Sequence, residues 1–419
     1  MLDLKWIREN PDLVRQGIAA KAVPFDLEKL LALDNRRRVL LKEVEDLKSR
    51  RNAANDEITR LKKAGQNNEA ETVISSIKSS SQKIKEIDDK VGEFSLEIDK
   101  IIYIIPNLPL KDVPVASGNA GNKVVRTWGE PRKHSFKARD HLQVAGGLGW
   151  LSMERGSKIT GAAFPVYQGM GARLERALVN FMLDCHTKRH GYQEVWPPAL
   201  VNRASMTGTG QLPKFEEDMY RLRDDDLFLV PTAEVPVTNL LRDEILEEKD
   251  LPVRFAAYSP CFRREAGSYG KDTRGLSRVH QFDKVELVKF VKPEDGPAEL
   301  ESLVANAEAV LQQLELPYRV VLLGTGDLSF AAAKCYDLEV WAPAAEKWFE
   351  VSSCSLFGDF QARRINVKFR RQETRKAEFV HTLNGSGVAL ARTVLCLLEN
   401  FQTADGKIEF PKALLPYLA

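Results

Sequence analysis

The 419-residue sequence has almost no net charge, because 61 lysines and arginines nearly balance 59 aspartates and glutamates. This balance excludes a protein that attracts anionic partners through a global positive field, so any such partner must meet a local basic patch. Apolar residues make up 43% of the chain, which is long enough for two or three domains with a sizeable core. Local clusters of basic residues are therefore more informative about anionic partners than the overall charge is.

Cysteine motifs, targeting segments and long apolar runs are also missing. The chain contains five scattered cysteines, Cys185, Cys261, Cys335, Cys354 and Cys396. They form no CxxC pair, and no histidine cluster has metal-ligand spacing, so we expect buried, reduced thiols. No apolar run reaches membrane-spanning length, and the first twenty residues carry Asp3, Glu9 and Asp12, which argues against a transit or signal peptide. We expect a cytoplasmic protein with no membrane partner.

A heptad pattern is present near the N-terminus. Apolar or long-stemmed residues recur in steps of three and four at Leu30, Leu33, Arg37, Leu40, Val44, Leu47, Arg51, Ala54, Ile58 and Leu61. After the polar stretch KKAGQNNEAE, a second periodic segment runs from Ile74 to Ile101. The pattern predicts two helices that fold back on each other as an antiparallel coiled coil. The first helix, Leu27 to Lys63, would be roughly 55 Å long.

The predicted hairpin is rich in basic residues. They are Arg36, Arg37, Arg38, Arg50, Arg51, Arg60, Lys62 and Lys63. Several fall on exposed helix faces, and phosphate backbones favour such surfaces. The heptads alone fit a dimerisation coil or a solvated spacer equally well, so the pattern leaves these alternatives open.

The pattern of the rest of the chain predicts a mixture of α-helices and β-strands. PNLPLKDVPVASGNAGN, residues 106–122, ends the second helix and predicts a linker. GARLERALVNFMLDCHTKRHGY predicts a helix of about four turns that ends before Gly191, and QEVWPPALV predicts a strand after it. Further short strands are predicted at 227–230, 253–262, 281–288, 318–323, 336–341, 348–352 and 379–383. Since many of these are neighbours in sequence, we expect an antiparallel sheet and not a doubly wound one.

One arginine-rich hairpin predicts a nucleotide site. In SPCFRREAGSYGKDTRGLSRVHQFDKVELVKF, residues 259–290, alternate residues of each strand share a face. The predicted faces are Ser259, Cys261, Arg263 and Glu265 on one strand, and Arg278, His280, Phe282, Lys284 and Glu286 on the other. The predicted loop between them carries Gly267, Gly270, Lys271, Asp272 and Arg274. Arginine can clamp phosphate, an aromatic ring can stack on a base, and carboxylates can accept from an amine or hydroxyl. An edge hairpin with a solvated loop remains the alternative.

Three weaker clusters accompany it. In EFVHTLNGSGVALARTV the pattern predicts a strand, a glycine turn and a helix that begins near Val388, with Arg392 in its first turns, where anionic groups are attracted. LFLVPTAEVPVTN places Thr232 and Glu234 in a loop after a strand, and WFEVSSCS places Glu350 and Ser353 near the end of another. Taken singly, each fits turn or capping chemistry.

Together, these motifs resemble one family over essentially the whole chain. The signatures are GTGQLPKFEED (208–218), PTAEVPVTN (231–239), FRREAGSYGKDTRGLSRVHQFDKVE (262–286), AAKCYDLEVW (332–341), FEVSSCS (349–355), FQARR (360–364) and HTLNGSG (381–387). The sequence is similar to bacterial-type seryl-tRNA synthetases, which are class II aminoacyl-tRNA synthetases. The resemblance implies an N-terminal tRNA-binding domain with a helical hairpin at 1–105, a linker at 106–136, and a class II catalytic domain at 137–419. That domain is expected to be an antiparallel β-sheet flanked by helices.

The resemblance also implies an activity and partners. The expected enzyme is a serine–tRNA ligase that uses L-serine, ATP and Mg²⁺ to form seryl-adenylate and then charges tRNA(Ser), with tRNA(Sec) left open. HGYQEVWPP (190–198) looks like the class II motif 1, which implies a homodimer. In this family the hairpin grips the long variable arm of the tRNA. The tRNA-binding residues expected on it are Arg36, Arg38, Arg50, Arg60, Lys62 and Lys63.

Site residues follow by the same resemblance. ATP is expected at Arg263, Arg264, Glu265, Arg278, Phe282, Glu350, Val351, Ser352, Ser353 and Arg392. Magnesium bound through ATP is expected at Glu350 and Ser353, serine at Thr232, Ala233, Glu234, Glu286 and Ser386, and the catalytic charges at Arg263 and Arg392. Two carboxylates suit an ammonium and a hydroxyl, and a site built to hydrogen-bond a hydroxyl rejects alanine. Positioning and charge neutralisation can carry adenylate formation without a general acid or nucleophile.

The sequence departs from the family pattern at a few positions. The unusual residues are Cys335, Val279, Leu356 and Ala391, and Arg264 stands where a serine is frequent. Leu356 and Ala391 are expected close to the ATP side. Two other functions stay open: a carrier-protein aminoacylating homologue, which would lack the hairpin, and a non-catalytic scaffold, in which loss of Arg263, Glu286 or Arg392 would be expected.

Overall fold

The computed structural model describes residues 1–265 and 274–419. Its helices are α1 Leu4–Glu9, α2 Pro11–Ala20, α3 Leu27–Lys63, α4 Asn67–Ile102, α5 His141–Gly147, α6 Met153–Ile159, α7 Met170–Arg189, α8 Arg203–Thr209, α9 Glu234–Thr238, α10 Gly296–Gln313, α11 Phe360–Ile365, α12 Leu390–Asn400 and α13 Leu415–Leu418. Its strands are β1 Lys123–Trp128, β2 Leu151–Ser152, β3 Val166–Tyr167, β4 Gln193–Val195, β5 Leu200–Asn202, β6 Arg221–Leu222, β7 Leu227–Leu229, β8 Ile245–Glu247, β9 Val253–Phe262, β10 Gln281–Val291, β11 Tyr318–Leu322, β12 Lys334–Ala342, β13 Lys347–Gly358, β14 Lys368–Arg370, β15 Ala377–Phe379 and β16 His381–Ala389. The loop residues Gly267, Gly270, Lys271 and Asp272, named above, lie outside the described residues.

The chain divides into two compact units. The hairpin unit comprises residues 3–15 and 24–105, and the sheet unit comprises residues 1–2, 16–23 and 106–419. No helix in the described residues is both long enough and apolar enough to cross a membrane.

The hairpin unit is built on α3 and α4, which pack against each other as the heptads predict. Asp26 caps α3 by accepting a hydrogen bond from the Lys29 amide at 3.0 Å, and Gly65, with φ +78°, lies in the turn between the helices. The seam buries Val44, Ile84 and Ile87. Ion pairs also cross between the helices, Lys48–Asp88 at 2.9 Å and Lys83–Glu43 at 2.7 Å. The antiparallel two-helix prediction is confirmed.

The sheet unit is organised around an eight-stranded sheet in the order β1-β11-β12-β13-β16-β10-β9-β4. Every neighbouring pair is antiparallel except β4 and β9, which run parallel. The predicted antiparallel α+β architecture is confirmed, with one parallel strand at the β4 edge.

The side chains of strand β10 point alternately to the two faces of the sheet, one of which packs into the main core while the other includes the candidate site. On one face, Val285 and Leu287 pack into the main core with residues of α7, α10 and α12. On the other face, Val288 and Phe290 belong to a second apolar cluster that includes residues of α11 and β14. Because side chains alternate along a strand, Phe282, Lys284 and Glu286 share this second face. The polar part of that face is where the candidate site lies.

The prediction of a glycine turn in LNGSG was wrong. These residues lie inside β16, which pairs with β10 on one side and β13 on the other, and α12 begins only at Leu390. The glycines serve close packing instead: a Cβ on Gly385 would lie 2.8 Å from the Cys354 sulfur, and one on Gly387 would lie 2.5 Å from the His186 ring. Strand pairing on both sides thus overrides the local turn signal.

Part of the expected linker, 106–136, is not a linker. Residues 123–128 form β1, which pairs with β11 at the edge of the main sheet. All six residues of β1 are exposed, which explains why its sequence carries no buried-strand signal. The other boundaries shift less: α7 spans 20 residues and is longer than predicted, and QEVWPPALV splits into β4 and β5, separated by its two prolines.

Candidate active site

A cavity of about 640 Å³ opens on the polar part of the sheet. It is lined by most of the predicted site residues, Thr232, Glu234, Arg263, Glu265, Arg278, Phe282, Glu350, Val351, Ser353, Ser386 and Arg392. Of the others, Ala233, Glu286 and Ser352 are buried behind the wall. Arg264 is exposed, and its amide donates to the Asp218 carbonyl at 3.3 Å. The structure therefore brings residues from distant motifs to one cleft.

One end of the cleft combines arginines with an aromatic ring. The Arg263 guanidinium lies over the Phe282 ring, 5.2 Å from its centroid, and its Nε donates to the Pro231 carbonyl at 3.3 Å. Arg278 forms an ion pair with Glu265. Strand β9 ends at Phe262, and Glu265 has φ +51°, so the predicted alternation does not extend to Glu265. The loop turns its carboxylate to Arg278 instead.

Arg392 lies in the first turn of α12 and is held in place by main-chain oxygens. Its Nε donates to the Ser277 carbonyl at 3.0 Å, and an Nη donates to the Glu350 carbonyl at 2.7 Å. The same Nη is 3.4 Å from the Glu350 carboxylate. These contacts fix the guanidinium at the cleft wall.

Asp337 also lines the cleft, although it was not among the predicted site residues. Burial, and then the neighbouring Glu350 carboxylate, raise its pKa well above the ordinary value. The Ser353 hydroxyl is 3.1 Å from the Cys335 sulfur on the adjacent strand. The signal for Asp337 was available, because it follows Tyr336 in the AAKCYDLEVW motif.

The floor of the cleft is a buried, fully bonded polar network. Glu286 forms an ion pair with Lys284, and both side chains are almost completely buried. The Thr232 hydroxyl donates to one Glu286 oxygen at 2.9 Å and accepts from Lys284 Nζ at 2.9 Å. Asn384 Nδ2 donates to the other Glu286 oxygen at 2.7 Å. The negative charge of Glu286 is thus already compensated within the protein.

Glu234 is the second acidic group of the floor, and in the described parts of the chain no cation is among its hydrogen-bond partners. Gln361 Nε2 donates to one of its oxygens at 2.7 Å, and Asn384 Nδ2 approaches the other at 3.3 Å. Burial, and then the Glu286 carboxylate, raise the pKa of Glu234 to about 7. The Thr382 hydroxyl donates to Gln361 Oε1 at 2.8 Å, which fixes the Gln361 amide group toward Glu234. The Glu234 carboxylate is therefore oriented by neutral amide donors, and a cation bound beside it would stabilise its charged form.

Ser386 joins this floor through strand register. It lies opposite Glu286 in the β10–β16 pair, and its carbonyl accepts from the Ser352 hydroxyl at 2.6 Å. The predicted set missed Lys284, Asn384 and Gln361, which complete the network. Each stands inside a motif already recognised, but only the folded contacts show that it touches the acidic pair.

Comparisons with known proteins agree with this geometry. Residues 1–109 match the family model of the seryl-tRNA synthetase N-terminal domain, and residues 214–401 match that of the class II tRNA synthetase core domain for G, H, P, S and T. The serine–tRNA ligase of Desulfitobacterium hafniense is 53% identical over 418 residues, covering 100% of this chain and 99% of that protein. This chain belongs to the serine–tRNA ligase family.

Solved structures of the family have the same fold. The seryl-tRNA synthetase of Pyrococcus horikoshii, complexed with ATP, superimposes with a TM-score of 0.93 at 36% identity, covering 100% of this chain and 98% of that one. The cytoplasmic serine–tRNA ligase of Naegleria fowleri, in complex with AMP, has a TM-score of 0.88 at 30% identity, covering 100% and 97%. Both similarities cover the residues of the hairpin unit as well as those of the sheet unit.

The four departures from the family pattern occupy different places. Cys335, Val279 and Ala391 line the cleft. Leu356 is buried in the main core. Cys335 and the other cysteines are buried and free.

The basic residues predicted to bind tRNA all lie on exposed faces of α3. They are Arg36, Arg38, Arg50, Arg60, Lys62 and Lys63. Arg60 pairs with Glu57 at 2.6 Å, whereas Arg37 turns to the buried Asp34 at 3.1 Å. These six side chains are accessible at separate turns of the helix, near its first third and toward its C-terminal end.

The donors near Glu350 fit magnesium held through a nucleotide. In the part of the chain that the structure describes, no group of three or more His, Cys, Asp or Glu side chains forms a metal cluster. Glu350, Ser353 and Asp337 line one end of the cleft and offer oxygen atoms, the ligands that Mg²⁺ prefers. Because Mg²⁺ takes few protein ligands when phosphate oxygens are available, this incomplete set is the expected one.

Proposed function

We propose that this chain activates L-serine with ATP to form seryl-adenylate and pyrophosphate, and then transfers the seryl group to the terminal adenosine of tRNA(Ser). One observation carries the proposal: a single cleft is lined by the acidic floor residue Glu234 and also by three arginines, one of which, Arg263, lies over the Phe282 ring. A positively charged amine and a polyphosphate can therefore be held side by side.

The arginine end suits ATP. Phe282 offers a ring face on which adenine can stack, with Arg263 beside it. Arg263 would neutralise the α-phosphate, and Arg278 and Arg392 would reach the outer phosphates. The main-chain bonds of Arg392 hold its guanidinium before the nucleotide arrives, so less order is lost on binding.

The acidic floor suits serine. Glu286 is neutralised by Lys284, which leaves Glu234 as the carboxylate that attracts the serine ammonium. Thr232 and Ser386, which line the cleft, are placed to bond the serine hydroxyl. Glu286 is buried and acts from behind them, by accepting the hydrogen bond of the Thr232 hydroxyl. Alanine would leave these buried polar groups without a partner, which costs far more than the loss of a methylene contact.

The chemical step needs positioning and charge neutralisation. A serine carboxylate oxygen bonds to the α-phosphorus while the bond to the bridging oxygen of the β-phosphate breaks, and pyrophosphate leaves with the electron pair. Arg263, at the boundary between the two ends of the cleft, would contact both the carboxylate and the α-phosphate. Negative charge builds up at these groups in the transition state, so a fixed guanidinium there lowers the barrier.

Magnesium would be held by Glu350 and Ser353, with Asp337 beside them. When bound, the ion neutralises phosphate charge and orients the pyrophosphate that leaves. The Glu350 carboxylate, 3.4 Å from Arg392, would keep the arginine and the ion on the same phosphate groups.

The remaining parts of the proposal concern partners. The exposed basic residues of α3 would contact the phosphates of the long variable arm of tRNA(Ser). The segment 190–198 with α7 would form a homodimer. The free thiols fit a reducing cytoplasm, where we place the protein.

Pyrophosphate exchange with each of the twenty amino acids tests the activation step. We expect exchange with serine, with threonine and alanine far behind. Equal exchange with alanine would refute the pocket assignment, and no exchange with any amino acid would favour a non-catalytic scaffold. Charging assays with tRNA(Ser), tRNA(Sec) and an acyl carrier protein then identify the acceptor; transfer to the carrier protein alone would support the carrier-protein homologue.

A further inference from the structure

One segment of the cleft wall, Ser329–Ala333, is held through its main chain by distant parts of the sheet unit. Three of its residues, Ser329, Phe330 and Ala331, line the cleft. Lys21 Nζ donates to the carbonyls of Ser329 at 2.9 Å and Ala332 at 2.6 Å. Asn107 donates to the Phe330 carbonyl through its main-chain amide at 3.0 Å and to the Ala331 carbonyl through Nδ2 at 2.8 Å. The main-chain amide of Leu110 donates to the Ala333 carbonyl at 2.9 Å. All five carbonyls are therefore bonded to residues 21–110.

Lys21 is an unusual residue for such a role. Its side chain is buried, and among the described residues its amine donates to the main-chain oxygens of Ser329, Phe330 and Ala332. Burial, and then the charge of Lys214, lower its pKa to about 7. An apolar side chain of the same length would leave the Ser329 and Ala332 carbonyls without this donor, so Lys21 fixes the main-chain conformation of the segment.

The held segment leads directly to the acidic floor. Phe330 packs edge-on against Phe360, with ring centroids 5.7 Å apart. The next residue, Gln361, donates to the Glu234 carboxylate at 2.7 Å and to the Thr209 carbonyl at 3.2 Å. A shift of the Ser329–Ala333 segment would therefore displace Phe360 and, with it, the neighbouring Gln361 that donates to Glu234.

We propose that Lys21 and Asn107 are positioning residues for serine binding, because they hold Ser329–Ala333 in the conformation that supports the Phe360–Gln361 contact to Glu234. The inference rests on the proposed function. Both residues belong to the two stretches, 16–23 and the start of 106–419, that join the sheet unit to the hairpin unit along the chain. The hairpin is thus connected in sequence to both anchors of the cleft wall.

The test is steady-state pyrophosphate exchange on the full chain with Lys21→Met and, separately, Asn107→Ala. Methionine keeps the length and apolar stem of Lys21 but removes its donors, and alanine removes both Nδ2 bonds of Asn107, to Ala331 and to Phe357. We expect the KM for serine to rise about five- to tenfold in each variant, as for the loss of one or two buried hydrogen bonds. The KM for ATP is expected to stay within about twofold, because the side-chain hydrogen bonds of Lys21 and Asn107 go to main-chain carbonyls and, among the described residues, not to Phe282, Arg263 or Arg392.

Lys111→Met is the matched control, since this exposed lysine lies in the same stretch as Asn107. It should leave both KM values unchanged. Thermal unfolding of every variant is recorded, and all assays run well below the lowest midpoint. A lower midpoint with an unchanged KM for serine would overturn the proposal and make the residues structural only, as would equal rises of both KM values.

If Lys21→Met does not fold, Asn107→Ala decides the question by the same two KM values. Should the unaltered protein show no exchange with serine, the proposed function fails, and this inference fails with it. Should the unaltered protein exchange normally while Asn107→Ala binds serine normally, only this inference fails.

Discussion

Replacing Glu234 with glutamine is the sharpest test of the acidic floor. The substitution keeps the size of the side chain and removes its charge. Glutamine offers one acceptor oxygen where the carboxylate offers two, while Gln361 and Asn384 both point donors at this position. The variant should therefore lose the attraction for the serine ammonium and leave one buried donor poorly bonded.

The expected loss can be estimated from the type of contact removed. A hydrogen bond to a charged group contributes about 1.5 to 3 kcal/mol. At about 1.4 kcal/mol per factor of ten, kcat/KM for serine should fall by roughly 10- to 150-fold. The KM for ATP should change little, since Glu234 lies at the other end of the cleft from Phe282 and Arg392.

The pH dependence gives a second signature. The pKa of Glu234 is raised to about 7 in the folded protein, so its carboxylate becomes charged only as pH rises through that value. Serine binding by the unaltered protein should therefore strengthen between about pH 6 and pH 8, while the serine ammonium stays charged. Glu234→Gln should lose this rise.

Stability should move in the opposite direction. A raised folded pKa means that the contribution of Glu234 to stability is fully present below its ordinary pKa, near 4.5, and is lost as pH rises through about 7. By pH 8 this loss amounts to a destabilisation on the order of 3 kcal/mol relative to low pH. Glu234→Gln cannot ionise, so its unfolding midpoint should equal or exceed that of the unaltered protein at pH 8 and lose this advantage near pH 5.

The assay is serine-dependent pyrophosphate exchange from pH 6 to pH 8, with thermal unfolding at both ends of the range. Glu217→Gln serves as the control, because this exposed glutamate belongs to the same part of the chain and should change neither readout. Unchanged kcat/KM in Glu234→Gln, or a pH profile identical to that of the unaltered protein, would refute the assignment of Glu234 to the serine ammonium.

Four further predictions concern phosphate, tRNA and assembly. Arg263→Ala should cost about 3 kcal/mol or more in transition-state stabilisation of exchange; near-normal exchange would contradict its role. Deleting residues 30–100 should leave serine-dependent exchange nearly intact but reduce tRNA(Ser) charging by orders of magnitude, whereas loss of both would favour a dimerisation coil. Replacing three of the exposed arginines of α3 should flatten the slope of log affinity for tRNA against log salt by roughly two to three units; an unchanged slope would remove them from the interface. Light scattering should give twice the 47.1 kDa chain mass, and a fully active monomer would contradict the dimer.

The sequence correctly predicted those helices and strands whose local residue pattern agrees with their place in the folded structure. The heptads gave the helix Leu27–Lys63 correctly, because its seam depends only on the spacing of apolar residues within the hairpin. The long motifs likewise identified the residues of the cleft. Strand alternation in β10 correctly placed Phe282 and Glu286 on one face, since the period of a strand is local.

The tertiary structure decided what depends on partners distant in sequence. LNGSG reads locally as a turn, yet pairing with β10 and β13 makes it a strand, and the exposed strand β1 exists only because β11 offers it an edge. Lys284 was visible as a charged strand residue, but its ion pair with Glu286 depends on a fold that excludes water from both groups. Residue identities and periods of repetition are properties of the sequence. Burial depends on the packing of segments that are distant in sequence, because every neighbour contributes to desolvation. The raised pKa of Glu234 and the hydrogen bonds from Lys21 to the cleft wall therefore exist only in the folded structure.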